Sequence, residues 1–284
     1  FDPAAHTAPY SLVVNRVSPS SYLRGHTNAI FHAQAYLAHL EEIGVPTVNG
    51  SRAYALETSK ARQLSLMASL GVPHPRSRVV NAPDQIAPAA GELAYPVIVK
   101  PNIGGSGALM RRFETPDELA GAVAGGELGG VFGLDFTAIV QEYHPPRGGS
   151  IVRVEVLDDR FLYAIRIHND PAGGFNLCPA DICQVPTDGQ ATADKKPLQI
   201  EVAEAPTWVV ETVLRLFRDA GIDVGGVEYL ESERDGRFYL YDINALSNFV
   251  TGAPALVGFD PFARFTDYLE RRAGLARESA VGSR

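Results

Sequence analysis

The run Pro96-Val97-Ile98-Val99-Lys100-Pro101 delivers a lysine at the end of an apolar stretch, and Gly104-Gly105-Ser106-Gly107 follows at once. Glycines let backbone N–H groups approach phosphate oxygens closely, Ser106 adds a hydroxyl donor, and the lysine supplies a point charge. A solvated lysine beside a flexible hairpin fits the same residues, so this stretch alone leaves both readings open. It is not a Walker A loop, because no Gly-Lys-Ser/Thr closes it, and it opens no clear helix as a dinucleotide fingerprint does. Further on, Tyr239-Leu240-Tyr241-Asp242-Ile243-Asn244 reads as a strand on which Asp242 and Asn244, two apart, share a face. A carboxylate with an amide oxygen suits Mg²⁺, a hard cation that prefers oxygen ligands. Glu228 lies on the preceding strand, and the Asp235-Gly236 turn would set it opposite Asp242. Acids on an exposed strand face are ordinarily just solvated; apolar Val227, Leu240 and Ile243 argue for a partly buried face. Gln141-Glu142-Tyr143 ends the apolar run Ile139-Val140, which either offers backbone edges to adenine or is a plain strand end. Lys60 opens a helix, where a lysine is ordinarily solvated.

The elements that must position these residues alternate between helix and strand. Leu12 to Arg16 reads as a short strand, Gly25 to Ile43 as a helix closed by Gly44, and Val45 to Asn49 as a second strand. Such an α/β unit reads as the tail of a Rossmann-like domain whose first strand would be expected outside the chain. A helix from Leu56 or Thr58 to Leu70 stops at Gly71 and Pro73. Strands are expected over 77–80 and 95–101. A helix is expected from Thr115, where Thr-Pro-Asp-Glu supplies a cap, an N1 proline and first-turn acids. Residues 121–133 are glycine-rich and read as a mobile connection. Strands then dominate, over 138–143, 151–156, 160–168, 226–231 and 237–242, with turns at Asp158-Asp159 and at 233–236. A helix interrupts them from Pro206 to Ala220. Another runs from Pro261 to Ala273, and 276–284 reads as a disordered polar tail. The boundaries drawn from this are 1–55, 56–137, 138–275 and the tail.

A chain of 284 residues, 45% hydrophobic and 20% charged, has the makings of a globular enzyme. Its net charge of −8 provides no overall basic field for nucleic acid or anionic membrane. No apolar run reaches the roughly 18 residues of a membrane helix, and nothing at the start resembles a signal peptide. The sequence opens Phe1-Asp2-Pro3 rather than on a methionine, so residues ahead of it are expected. Two cysteines, Cys178 and Cys183, make no disulfide framework and read as buried packing residues in a reducing cytoplasm.

Taken in order, these motifs resemble the ATP-grasp superfamily, in particular the RimK-like glutamate ligases and bacterial glutathione synthetases, over roughly residues 12–270. The resemblance implies an α/β (α+β) fold in which two α+β subdomains grip ATP, preceded by a partial Rossmann-like pre-ATP-grasp domain. It implies that Lys60 and Lys100 contact phosphate or adenine, and that Gly104, Gly105, Ser106 and Gly107 form a lid. Gln141, Glu142 and Tyr143 become the hinge strand, and Glu228, Asp242 and Asn244 the ligands of one or two Mg²⁺ ions, with Mn²⁺ as a possible substitute. Lys100 and Arg166 would be catalytic, with Arg166 stabilising charge on the reacting centre. Arg16, Arg24, Arg153 and Asn176 would contact substrate. The chain departs from the pattern after the hinge: Pro145 to Ile151 holds no acid for the ribose, leaving Glu142 or Ser150 as substitutes. The segment from Asp170 to Cys183 also departs from the glutamate-ligase pattern, which implies a different substrate.

The implied activity is ATP-dependent ligation of a carboxylate to an amine through an acylphosphate, on a small molecule or a peptide. No nucleic-acid or membrane partner is expected, and a homo-oligomer is. The alternatives are an ATP-grasp kinase that stops at a phosphorylated product, and a non-catalytic ATP-binding module.

Overall fold

The structure is a computed structural model that describes residues 1–105, 107–168, 199–250 and 252–282, with only the helical backbone given for 275–282. Strand β1 (Val13–Val14), helix α1 (Thr27–Glu42) and strand β2 (Thr47–Val48) form a parallel crossover, with Val13 opposite Thr47 and Val14 opposite Val48. Helix α1 buries Ile30, Ala33, Leu37 and Leu40 at helical spacing, and Gly44 follows in the left-handed region at φ 74°. Between β1 and α1 lies a 3₁₀ turn, Pro19–Arg24, capped by the Ser18 side chain.

The helix expected from Leu56 or Thr58 to Leu70 is α3 (Lys60–Ser69), and a further helix, α2 (Ser51–Glu57), precedes it. Ser59 breaks them: its backbone is extended at φ −149°, and its hydroxyl accepts from Arg62 N as the N-cap of α3. Lys60 is thereby fixed in a first helical turn, at the junction of two elements.

A four-stranded antiparallel sheet follows. It is built from β3 (Ser77–Val80), α4 (Ile86–Ala90), β4 (Val97–Pro101), β5 (Arg111–Phe113), α5 (Pro116–Ala124) and β6 (Ala138–Glu142), with strand order β3-β6-β4-β5. Val97, Val99, Ala138 and Val140 turn one face onto a core with Ile86, Leu119 and Phe113. By the two-residue period, Ile98 and Lys100 face the other way, with Gln141 directly opposite Ile98. Helix α5 starts as its sequence predicts, at the Thr115 cap with Pro116 in the first turn. The connection expected to be mobile is packed instead. Leu128, Val131 and Phe132, set among the glycines, are buried in the same core.

The second sheet has five antiparallel strands. Its elements are β7 (Ser150–Leu157), β8 (Arg160–His168), β9 (Gln199–Val202), α6 (Thr207–Ala220), β10 (Val224–Glu231) and β11 (Phe238–Asn244), in the order β11-β10-β7-β8-β9. Asp158 and Asp159 both have positive φ, 56° and 54°, as a tight β7–β8 hairpin turn requires. Helix α6 packs Val209, Val213, Leu216 and Phe217 against Val152, Val154 and Val156. Two helices close the chain, α7 (Ala253–Val257) and α8 (Pro261–Gly282). The latter runs well past Ala273, so the expected polar tail is largely helical backbone.

Asn49 fastens the first unit to the second sheet. Its backbone N donates to Asp223 Oδ2 at 2.7 Å, and its Oδ1 accepts from the backbone N of Asp223 and Val224. Its Nδ2 donates to Val224 O at 2.8 Å and to Ala245 O. The residue sits at φ 52°, a conformation that asparagine tolerates better than most side chains.

Candidate active site

A cleft of about 270 Å³ opens between the two sheets, lined from one side by Ile98, Lys100 and Gln141 and from the other by Ile151, Arg153, Glu228 and Asp242. Strand alternation brings these residues together. Glu228 is in register with Asp242 on one neighbour and with Arg153 on the other. The Asp-Gly hairpin therefore does what its sequence predicts. A bulge at Glu228/Tyr229 adds one residue to β11. That residue, Tyr241, joins Asp242 in the cleft and donates to Glu228 Oε2 at 2.9 Å. Burial and the neighbouring Glu228 hold the Tyr241 hydroxyl well above its ordinary pKa, so it stays a donor.

The acidic wall is held by a buried arginine. Arg153 donates from Nε to Glu155 Oε1 at 2.6 Å, from Nη1 to Glu228 Oε1 at 3.1 Å and from Nη2 to Ser247 Oγ at 3.1 Å. Burial opposes its charge, but Glu155 and Glu228 more than offset this and raise its pKa. Gly226 makes the arrangement possible, since a Cβ there would lie 2.9 Å from both Arg153 Nε and Glu155 Oε1.

The basic wall is held more loosely. Lys100 Nζ donates to Gln141 Oε1 at 2.9 Å, and Gln141 donates in turn to Ser77 Oγ. Burial, then the nearby charge of Lys60, pushes Lys100 down to about 7, against the pull of Glu228. Lys60 pairs with Asp242 and is also lowered, chiefly by burial. Apolar Ile98, Met110, Ile151 and Leu230 line the same cleft and suit the flat face of a base.

Lys60, Lys100, Gly104, Gly105, Gly107, Gln141, Glu142, Tyr143, Arg153, Glu228, Asp242 and Asn244 all line this one cleft. Asn244 Nδ2 lies 3.4 Å from Asp242 Oδ2. The Glu142 carboxylate is spent within its own sheet, accepting from Ala94 N at 2.9 Å and from Arg76. Ser106 and Asn176, like Cys178 and Cys183, fall outside the described residues. Arg16 stands just behind the cleft, donating to Ser247 O at 2.8 Å and to Asn248 Oδ1.

Three expectations need correction. Arg166 pairs with Val152 across β7 and β8, and Val152 belongs to the face packed on α6. The two-residue period thus turns Arg166 away from Arg153 and the cleft, toward Ser150 Oγ at 3.2 Å and Glu201. Ser150, on that same face and occupied by Arg166, is not placed to meet a ribose. Arg24 donates to Ser20 Oγ at 3.3 Å and does not line the cleft.

Among the described residues, no group of three or more His, Cys, Asp and Glu converges on a metal position. The donor set is two carboxylates and an amide, Glu228, Asp242 and Asn244. These hard oxygens beside two lysines fit Mg²⁺ carried with phosphate better than a self-sufficient metal cage. The sequence reading missed Glu57. It ends α2, lines the cleft, and accepts from Ala245 N at 2.5 Å, with burial raising its pKa. Its signal was an acid three residues ahead of Lys60. His144 was missed as well; it lines the cleft, stacked on Tyr239 with ring centroids 4.1 Å apart.

Two sheets that close on one cleft, one bringing lysine and the other acid, define the ATP-grasp class. The chain has this fold: it superposes on the ATP-grasp ligase PsnB, solved with minimal precursor, Mg and ADP, with a TM-score of 0.62 at 23% identity, covering 93% of this chain and 78% of that one. It is 25% identical over 91% of its length to a probable alpha-L-glutamate ligase 2 of Shewanella amazonensis, covering 82% of that protein. It is 33% identical over 129 residues to a D-alanine–D-alanine ligase of Geobacter sulfurreducens, a match that spans only 38% of that ligase. No family model matches the chain. The chain thus has an ATP-grasp fold and is similar in sequence to ligases of that kind.

Proposed function

We propose that the protein is an ATP- and Mg²⁺-dependent carboxylate–amine ligase that releases ADP and forms an amide through an acylphosphate. The observation that carries this reading is the convergence of Lys60 and Lys100 with Glu228, Asp242 and Asn244 on one cleft between the sheets. A carboxylate is a poor electrophile because oxide would have to leave, and phosphorylation supplies a leaving group. Phosphoryl transfer needs positioning and charge neutralisation more than covalent help. Ile98 and Leu230 receive the base, and the strand end Gln141 to Tyr143 supplies its polar edge. Lys60 and Lys100 neutralise phosphate oxygens, and the Gly104–Gly107 loop covers them and excludes water.

Glu228, Asp242 and Asn244 would hold the metal, one or two ions with Mn²⁺ able to substitute, and it would supply charge neutralisation for the transferring phosphoryl group. Arg153 replaces Arg166 as the cation nearest the reacting end, and it also donates to Glu228. Arg16 and Asn176 remain the proposed substrate contacts. A peptide-borne carboxylate is one form the substrate takes in this reading, by analogy with PsnB and its minimal precursor. Among the described residues no helix is long and apolar enough to cross a membrane; we read the enzyme as cytoplasmic, without nucleic-acid partners, and as a homo-oligomer.

The test is ADP release from ATP with pooled amino acids and peptides, with and without Mg²⁺. ADP release that requires both acid and amine supports the ligase. A stable phosphorylated product with no need for amine would instead make it a kinase.

A further inference from the structure

Gly105 has no left-handed backbone to explain it; what excludes a side chain there is space. A Cβ on Gly105 would lie 2.8 Å from Ser20 Cβ and 3.5 Å from Ser20 Cα and N. The atom it meets is the root of a side chain, which cannot swing aside. Neighbouring Gly104 is under no such pressure: its Cβ would meet only Pro101, at 3.6 Å and beyond. The backbone of the glycine-rich loop therefore rests directly on the 3₁₀ turn Pro19–Arg24, a segment remote in sequence.

Ser20 is itself fixed from several sides. It is 4% exposed, its N donates to Ser18 Oγ at 3.2 Å, and its hydroxyl lies 2.8 Å from Ser18 Oγ. Arg24 Nη1 donates to the same hydroxyl at 3.3 Å. Gly25, left-handed at φ 77°, closes the turn. Ser18, Pro19 and Ser20 share the cleft lining with Gly104 and Gly105.

We propose that Ser20 is a positioning residue for the phosphate-binding glycines: the turn it belongs to is a seat that sets how far the Gly104–Gly105 backbone reaches into the cleft. Arg24 acts through Ser20 as its brace. This rests on the nucleotide reading above. It goes further by making the turn between β1 and α1 a determinant of nucleotide affinity through one van der Waals contact.

A size exchange tests it, using calorimetric binding of MgADP to the full chain. Gly105→Ala weakens binding roughly tenfold, the scale on which overpacking acts. Ser20→Gly removes the opposing Cβ, so the double variant Ser20→Gly/Gly105→Ala returns to within about threefold of wild type, the coupling expected of residues in contact. A defect confined to stability would lower Tm without restoring affinity in the double variant. Wild-type affinity in Gly105→Ala, or a double variant no better than Gly105→Ala, overturns the proposal. Should Gly105→Ala fail to fold, hydrogen exchange at Gly104 and Gly105 in Ser20→Gly decides. Faster exchange at unchanged Tm supports the seat, and unchanged exchange refutes it. A wild-type protein that binds no MgADP refutes the nucleotide reading itself, an outcome distinct from binding without coupling.

Discussion

The two walls of the cleft treat charge in opposite ways. On the five-stranded sheet Glu228 is held by Arg153 and Tyr241, and Glu155 behind it by Arg153 and Ser247. Among the described residues Lys100 on the four-stranded sheet has one hydrogen-bond partner, the neutral Gln141, and burial pushes its proton affinity down. The acidic wall is already neutralised from behind. The basic wall holds a cation short of counter-charge, and a phosphate is the ligand that remedies this. Preorganised acid and underpaired base are what electrostatic stabilisation of a transferring phosphoryl group requires.

The contrast breaks most completely if either wall loses its functional charge. Lys100→Ala and Asp242→Ala are each expected to lower ADP release by roughly a thousandfold or more, with far-UV circular dichroism and Tm near wild type. Near-normal turnover by either variant would contradict the site. Arg153→Ala should instead unfold as well as inactivate. It leaves Glu155 and Glu228 buried without their cation, at a cost of about 3–5 kcal/mol in denaturant titration. A stability loss far below that would show the acidic wall to be solvated. Asn49→Ala removes a side chain bonded at both ends, and about 1–3 kcal/mol is expected for the groups it leaves unpaired.

The smallest effect sharpens the contrast. A lysine held below its ordinary value in the folded state gives up its proton more readily than in the unfolded chain. The ligand-free protein should therefore gain stability as pH rises from about 7 toward the ordinary lysine range. Phosphate beside Lys100 draws the proton back, so MgADP binding at pH 8 should take up a fraction of a proton. Calorimetry in two buffers of different ionisation enthalpy measures it, and Lys100→Met should abolish it. Proton release on binding would reverse the assignment.

Much of this site was legible in the residues. The Asp-Gly turn fixed a hairpin, and period two then placed Glu228 opposite Asp242 without any structure. The Ser59 cap was readable in principle, and with it the break that aims Lys60 inward. Arg166 was not legible, for a physical reason. Leu162, Tyr163, Ala164 and Ile165 are all buried, so β8 shows no polar–apolar alternation by which to assign faces. Tyr241 entered the cleft through a bulge, which no periodicity announces. Glu57 was hidden by its type, because an acid at a helix end ordinarily faces water. Glycine spacing, read as a mobile linker over 121–133, lost to three apolar residues that pin it down.

Asn49 spends both its donors and its acceptor on the start of β10 and on Ala245, one residue beyond Asn244. The crossover unit is thus bonded directly to the acid-bearing strands. If the mouth is to widen for a triphosphate to enter, the jaw that swings has to be the sheet carrying Lys100, and the acids stay where they are.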